Sequence, residues 1–140
     1  DGSKKMSKSE LSDLSRINLT DNKDQIINKI KKAKTDPMPM PNGLQELDER
    51  LEAKNLLGIY ASLTNTTLEK SIENFSGKNF SVFKESLSEI LVNKIEPISI
   101  EIKKLLADQK YLDQILLEGV EKANLIASKK IQKIKEIVGF

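Results

Sequence analysis

The stretch at residues 108–138, DQKYLDQILLEGVEKANLIASKKIQKIKEIV, decides the fold class. Tyr111, Leu112, Ile115, Leu116, Val120, Ala123, Ile126, Ala127, Ile131, Ile134 and Ile137 recur at threes and fours, the spacing of one helix face. Only Gly119 weakens a period that runs for most of the stretch, and the side chains between are mostly Lys, Glu, Gln and Asn. Working upstream, the same period returns. Ile98, Ile102, Leu105 and Leu106 form one stripe, and Phe80, Phe83, Leu87, Ile90, Leu91 and Ile95 form another. Pro97 stands between these two, and a proline inside a helix removes an amide donor, so a kink or a break is expected there. Thr66 with Glu69 has capping-box spacing and starts a short helix to about Asn74, before Gly77. Leu51, Ala53, Leu56, Leu57, Tyr60 and Leu63 place an apolar face on a helix near 50–63. No alternating segment of strand length is present. The expected fold is all-α, a small helical bundle joined by short loops.

Before that bundle lies Thr35-Asp36-Pro37-Met38-Pro39-Met40-Pro41-Asn42-Gly43. Three prolines on alternate positions hold this piece extended and exclude a helix or a central strand. It is the best candidate boundary in the chain, and its two methionines are expected to tuck the loop onto the core. Ile26, Ile27, Ile30 and Ala33 mark a helix over 22–34, with Thr20 and Asp21 offering its N-cap. Lys29, Lys31, Lys32 and Lys34 then sit toward its C-terminal end, where the helix dipole favours cations; their plainest role is a solvated face.

Composition removes whole classes of chemistry. The chain has no cysteine, so it builds no disulfide, thiolate zinc site, iron–sulfur cluster or cysteine nucleophile. It has no histidine either, which excludes a serine–histidine triad and imidazole ligation within these residues. No metal-ligating set is read from the sequence. Any chemistry falls to lysines, carboxylates, hydroxyls or backbone amides. Aromatic residues are 4% of the chain with no tryptophan, too few for a base-stacking platform. A net charge of +2 is too balanced for a polyanion-binding surface all round. Residues 1–34, however, hold nine Lys/Arg against five Asp/Glu, which makes them the favoured place for an anionic partner. No run of eighteen apolar residues exists, so no membrane span is expected, and no apolar leader opens the chain.

One short piece carries a chemical suggestion of its own: Lys5-Met6-Ser7-Lys8-Ser9, after Asp1-Gly2-Ser3-Lys4. Two ammonium groups three residues apart, two hydroxyls and a nearby glycine make a loop able to reach phosphate oxygens. Such a loop stabilises a pyrophosphate leaving group electrostatically, with no histidine required. Composition alone equally describes an inert, solvated tail.

The order of the five residues matches the KMSKS signature of class I aminoacyl-tRNA synthetases letter for letter. The continuation narrows the resemblance. Ile17, Leu19, Thr20, Asp21 and Ile26, then Lys29, Ile30, Ala33, Thr35 and Asp36, resemble the stretch that follows KMSKS in tryptophanyl-tRNA synthetases. Glu52-Ala53-Lys54-Asn55-Leu56-Leu57-Gly58-Ile59-Tyr60 is similar to that family's "PEAxNLLxIY" helix, and the run from Asp108 and Tyr111 through Glu118-Gly119 to Val138-Gly139 resembles its C-terminal helix. The tyrosyl sister family shares the loop but not the middle segment. The chain departs at Leu51, where the family usually has proline.

The resemblance implies a tryptophan–tRNA ligase, which activates tryptophan with ATP and Mg²⁺ and transfers it to tRNA(Trp), as a cytoplasmic homodimer. It implies that Lys8 stabilises the ATP phosphates as pyrophosphate leaves and that Lys5 supports the same charge. Ser7 and Ser9 donate hydrogen bonds, and Met6 anchors the loop by packing. Residues 1–20 are then the flexible KMSKS loop and a short connection, and 21–140 a helical tRNA- and anticodon-binding domain. The family's HIGH-type motif needs a histidine this chain lacks, so a C-terminal fragment, inactive alone, is expected. On charge, Lys129, Lys130, Lys133 and Lys135 are the candidate tRNA phosphate contacts. The alternative is a stand-alone helical module for RNA or protein with a basic N-terminal tail.

Overall fold

A computed structural model describes residues 11–139 of the chain. The residues form a 3-10 turn at Asp13–Ser15, α1 at Lys23–Lys32, a second 3-10 turn at Leu44–Leu47, α2 at Leu51–Thr64, α3 at Leu68–Phe75, α4 at Phe80–Ala107 and α5 at Gln109–Val138. Among the described residues there is no strand, so the expected all-α class holds. The expected flexible loop at residues 5–9 lies outside the described residues. Among the described residues no helix is long and apolar enough to cross a membrane.

Helix starts fall one or two residues later than the sequence suggests, for identifiable reasons. Asn22 caps α1 in place of Thr20 or Asp21. Its side chain accepts from the Gln25 amide at 2.9 Å, and the Gln25 side chain accepts from the Asn22 amide at 2.8 Å, a full capping box. Thr67, not Thr66, caps α3 by accepting from the Lys70 amide. Thr66 is held by the preceding helix: its amide donates to the Ala61 carbonyl, and its hydroxyl lies 2.8 Å from that of Thr64. Asn65 between them sits at φ 53°, the left-handed conformation that ends α2. Pro97 lies inside α4, which runs on to Ala107, so of the expected kink or break the break is absent. One missing amide donor is a local loss that the rest of the helix bridges.

The chain forms two compact units, one ending at Ile100 and the other beginning at Glu101, within α4. The first holds the core. Ile26 and Ile30 from α1, Ala53, Leu56 and Leu57 from α2, Ile72 and Phe75 from α3, and Phe80, Phe83, Leu87, Leu91 and Val92 from α4 are all buried together. Tyr60, Phe75 and Phe83 meet at its centre. The Tyr60–Phe75 and Phe75–Phe83 ring centroids are 4.9 and 5.0 Å apart, both edge to face, the arrangement the ring quadrupoles favour.

The proline segment is part of this core as well as a surface loop. Met40 and Pro41 are buried, while Met38 is exposed. Met40 donates its amide to the Lys78 carbonyl at 2.8 Å and accepts from the Gly77 amide at 3.1 Å. Gly77 adopts φ 68° to make that turn, where a side chain would be strained. Arg50 fastens the other end. Its guanidinium donates to both Asp36 oxygens at 2.8 and 2.9 Å and to the Pro39 carbonyl at 2.8 Å, and it lies 5.6 Å from the Phe80 ring centre.

In the second unit Asp108 caps α5 by accepting from the Tyr111 amide at 3.1 Å, and Gly139 at φ 83° closes the helix. The thirty residues of α5 match the long stripe, but none of them is buried. Ile126, Ile131, Ile134 and Ile137 are all exposed.

Phe83→Ala is expected to destabilise the chain by about 3–5 kcal/mol, because it empties the fully buried centre of the aromatic cluster. Val82→Ala, on the exposed side of the same helix, should stay within about 0.5 kcal/mol of the parent. Urea unfolding followed by circular dichroism measures both.

Candidate functional site

The five residues assigned to ATP phosphates, Lys5, Met6, Ser7, Lys8 and Ser9, lie outside the described residues. The described residues begin at Leu11, and they show how the following segment is fastened to the helical core.

Ser12 opens the Asp13–Ser15 turn by accepting from the Leu14 amide. The turn presents the Asp13 carboxylate to three donors. Lys29 of α1 approaches at 2.5 Å, Arg16 at 3.0 Å, and the Asn18 side-chain amide at 3.0 Å to each oxygen. Lys29 also donates to Asp21 at 2.6 Å. Asp21 is fixed in turn by the Asn18 backbone amide at 2.8 Å. Residues 13–21 thus fold back on themselves around one ammonium group. Lys29 and Asp21 have side-chain exposures of 7% and 4%, whereas Asp13 is 48% exposed, so the network is dry at one end and wet at the other.

The electrostatics follow from these contacts. The Lys29 ammonium, then the Asn18 amide, hold the Asp13 carboxyl below the ordinary value of 3.8. Burial works to lower Lys29, but its hydrogen bonds to Asp13 and Asp21 outweigh it and hold the ammonium above its ordinary value.

Sequence reasoning placed Lys29 on a solvated face and Asp21 at a cap, and so missed the network. The signal was present. Lys29 lies three residues after Ile26 and next to Ile30, on the apolar face of its own helix, where a charge needs a buried partner.

A second cation ties α1 to α4. Lys84 donates to the carbonyls of Ala33 at 2.6 Å and Lys31 at 3.3 Å, at the C-terminal end of α1 where the dipole is negative. Burial lowers its pKa. Beside it lies a cleft of about 680 Å³, with Ile27, Phe80 and Val92 in its wall and Lys23, Lys31, Glu85 and Glu89 around it. Among the described residues no group of three acidic side chains is placed to hold a metal ion.

The candidate tRNA contacts, Lys129, Lys130, Lys133 and Lys135, are all exposed on α5. Lys129 and Lys133, four residues apart, share one face, while Lys135 falls on another.

Comparison with known proteins adds the family. The profile of the tRNA synthetases class I (W and Y) matches residues 1–96. A tryptophan–tRNA ligase of Agrobacterium fabrum (strain C58) is 49% identical over 140 residues, which is 100% of this chain and 40% of the relative. Those of Caulobacter vibrioides and Rickettsia felis are 46% and 47% identical over the same 140 residues, 41% and 42% of their lengths. The chain therefore spans about two fifths of the curated relatives it matches.

Lys29→Met leaves Asp21 buried without its cation and is expected to cost about 3–5 kcal/mol near neutral pH. The pH dependence should change as well. A depressed Asp13 contributes stability that is present above its ordinary value and lost as pH falls through its lowered one. A raised Lys29 contributes stability that is present below 10.5 and lost only as pH rises beyond its elevated value. Wild-type stability should fall on acidification below the ordinary aspartate range, and the Asp13 share of that fall should shrink in Lys29→Met, where Asn18 and Arg16 still face the carboxylate. Chemical denaturation across the acid range measures it.

Proposed function

Because this chain belongs to the class I tRNA synthetases of the tryptophan and tyrosine group, we propose that it serves within a tryptophan–tRNA ligase. It supplies the ATP-phosphate loop and the helical tRNA-binding part of that enzyme. The observation carrying this reading is the near-half identity, over all 140 residues, to proteins named tryptophan–tRNA ligase. Residues 1–20 are the loop and its connection, and residues 21–140 the tRNA- and anticodon-binding domain. A stand-alone helical module is not favoured by relatives that align along the chain's whole length.

In this reading the tryptophan carboxylate attacks the α-phosphorus of ATP. A new oxygen–phosphorus bond forms, the bond to the β-phosphate oxygen breaks, and pyrophosphate leaves with the charge. Lys8 meets that growing charge with its ammonium, and Lys5 supports it. Ser7 and Ser9 offer hydroxyl and amide donors, and Met6 packs the loop in place. Only the part of the Lys8 interaction that is stronger in the transition state than with bound ATP speeds the step. Mg²⁺ would enter with ATP as part of the substrate and would offset its phosphate charge. The ligase acts as a cytoplasmic homodimer, and the 140 residues alone do not activate tryptophan.

Lys8→Ala in the full-length enzyme is expected to lower kcat of tryptophan-dependent pyrophosphate exchange by roughly two orders of magnitude, the scale of losing one preorganised charge-stabilising donor. KM for tryptophan should move little, and Lys8→Arg should recover only part, since a planar fork is not a point charge on a mobile stem. Exchange at the wild-type rate in Lys8→Ala removes the assignment.

The α5 lysines make a separate claim. Lys133→Ala should weaken tRNA binding and lower the slope of log affinity against log salt by about one, as expected for one lost phosphate contact. Filter binding at several salt concentrations reads this, and an unchanged slope returns Lys133 to the wet face of its helix.

A further inference from the structure

We propose that the cleft between α1 and α4 binds a single nucleotide whose base carries an exocyclic amino group. The inference rests on the tRNA-binding reading only for where that nucleotide comes from, a free molecule or an unstacked position in a strand.

Ser88 of α4 holds a hydroxyl that the fold does not use. It is 5% exposed, lines the cleft and makes no hydrogen bond among the described residues. A helix offers a buried serine an easy partner, the carbonyl four residues back, and Ser71 of α3 takes it, donating to Thr67 at 3.0 Å. Ser88 leaves that option unused. Lys84, one turn earlier on α4, has a similar surplus. Two of its three ammonium protons go to the carbonyls of Ala33 and Lys31, and the third is left for the cleft. A polar group buried without a partner costs stability, so its presence here calls for a reason outside the fold.

The charges around the cleft are sorted by wall. On α1, Lys23, Ile27 and Lys31 follow at four-residue spacing, so two ammonium groups stand along one face, about 12 Å apart in helix rise, with an apolar side chain between them. On α4, Glu85 and Glu89 stand one turn apart, near Phe80 and Val92. None of these four charges has an ion pair among the described residues.

A ligand that suits both walls carries an anion at one end, a hydrogen-bond donor at the other and a flat apolar body between. A cytosine or adenine nucleotide has all three. Its phosphate meets the α1 ammonium groups, its ring face meets Ile27, Phe80 and Val92, and its amino group donates to a glutamate. The ring nitrogens of either base accept from Ser88 and from the remaining Lys84 proton. The volume of about 680 Å³ falls within the range of small-ligand sites. A free amino acid carries both its charges on one carbon, which does not match charges sorted onto two helices. Uracil puts a carbonyl oxygen where cytosine has its amino group, and a carboxylate repels it.

NMR titration of the 140-residue chain with cytidine and uridine 5′-monophosphates tests the proposal. The cytidine nucleotide is expected to shift the Lys84, Ser88 and Glu89 amide resonances saturably and to bind roughly tenfold tighter than the uridine nucleotide, the scale of one good base contact. Ser88→Ala should weaken that binding roughly fivefold and leave the unfolding transition where it is or slightly higher, because the hydroxyl supports nothing in the fold. The double variant Glu85→Gln/Glu89→Gln should erase the preference for cytidine, since an amide serves either base. Equal affinity for the two nucleotides, unchanged affinity in Ser88→Ala, or the same shifts with inorganic phosphate alone overturns the proposal. Added tRNA then identifies the source. Displacement of the cytidine nucleotide assigns the cleft to an unstacked position of a strand, and its retention beside bound tRNA assigns the cleft to free nucleotides. A chain that binds no tRNA removes the tRNA-binding reading and likewise leaves the cleft to free nucleotides.

Discussion

Lys29 occupies the side of α1 that carries Ile26 and Ile30, and an ammonium there has lost most of its water. Leaving such a charge without its counter-ions costs about 3–5 kcal/mol, a large part of a small domain's stability. The chain answers by turning residues 13–21 into a ring of acceptors. Asp21 meets the buried side of the ammonium, Asp13 the exposed side, and Asn18 holds both carboxylates in place. The path of the chain before α1 follows from that demand. Within residues 11–22 Ile17 packs, partly buried, against the core, and the buried cation fixes the rest of their course.

Arg50 repeats the solution on the other side of the core. Its planar fork matches the Asp36 carboxylate, reaches the Pro39 carbonyl and leaves its face for Phe80. A proline segment cannot be held by a regular ladder, because its prolines donate nothing. Here it is held by one side chain at its start and by the Met40 backbone pairing with Gly77 and Lys78 at its end. That arrangement lets Met40 enter the core while Met38, two residues earlier, stays in solvent.

The elements themselves were legible in the sequence because apolar period is a property of one helix at a time. The α2 face from Ala53 to Leu57, the aromatic pair Phe80 and Phe83, and the thirty-residue α5 all follow from spacing. What depends on a second segment was not legible. Asp21 reads as a cap until Lys29 is seen to reach it, and Thr66 reads as a cap until Ala61 is seen to take its amide. The long stripe of α5 shows an amphipathic helix but not what its apolar side meets, and its side chains are exposed here. The pentad proposed to meet the ATP phosphates was legible for a different reason, since it is identified by the order of its letters, and spacing and burial play no part.

The charge excess of the N-terminal segment shows why order carries more than count. Residues 1–34 hold nine cations against five anions, which by itself suggests an anionic partner. Lys29 and Arg16, however, face Asp13 and Asp21, and that cluster is neutral. The remaining excess is greatest near the C-terminal end of α1, at Lys31, Lys32 and Lys34, where the helix dipole favours cations whatever the protein binds. Before the cluster stand Lys4, Lys5 and Lys8 against Asp1 and Glu10, a nearly even balance. A long-range field is therefore a poor explanation for the phosphate recognition proposed at the pentad. Two ammonium groups at a fixed spacing, brought close to developing charge, act over a few ångströms, where net charge matters little and placement decides the rate.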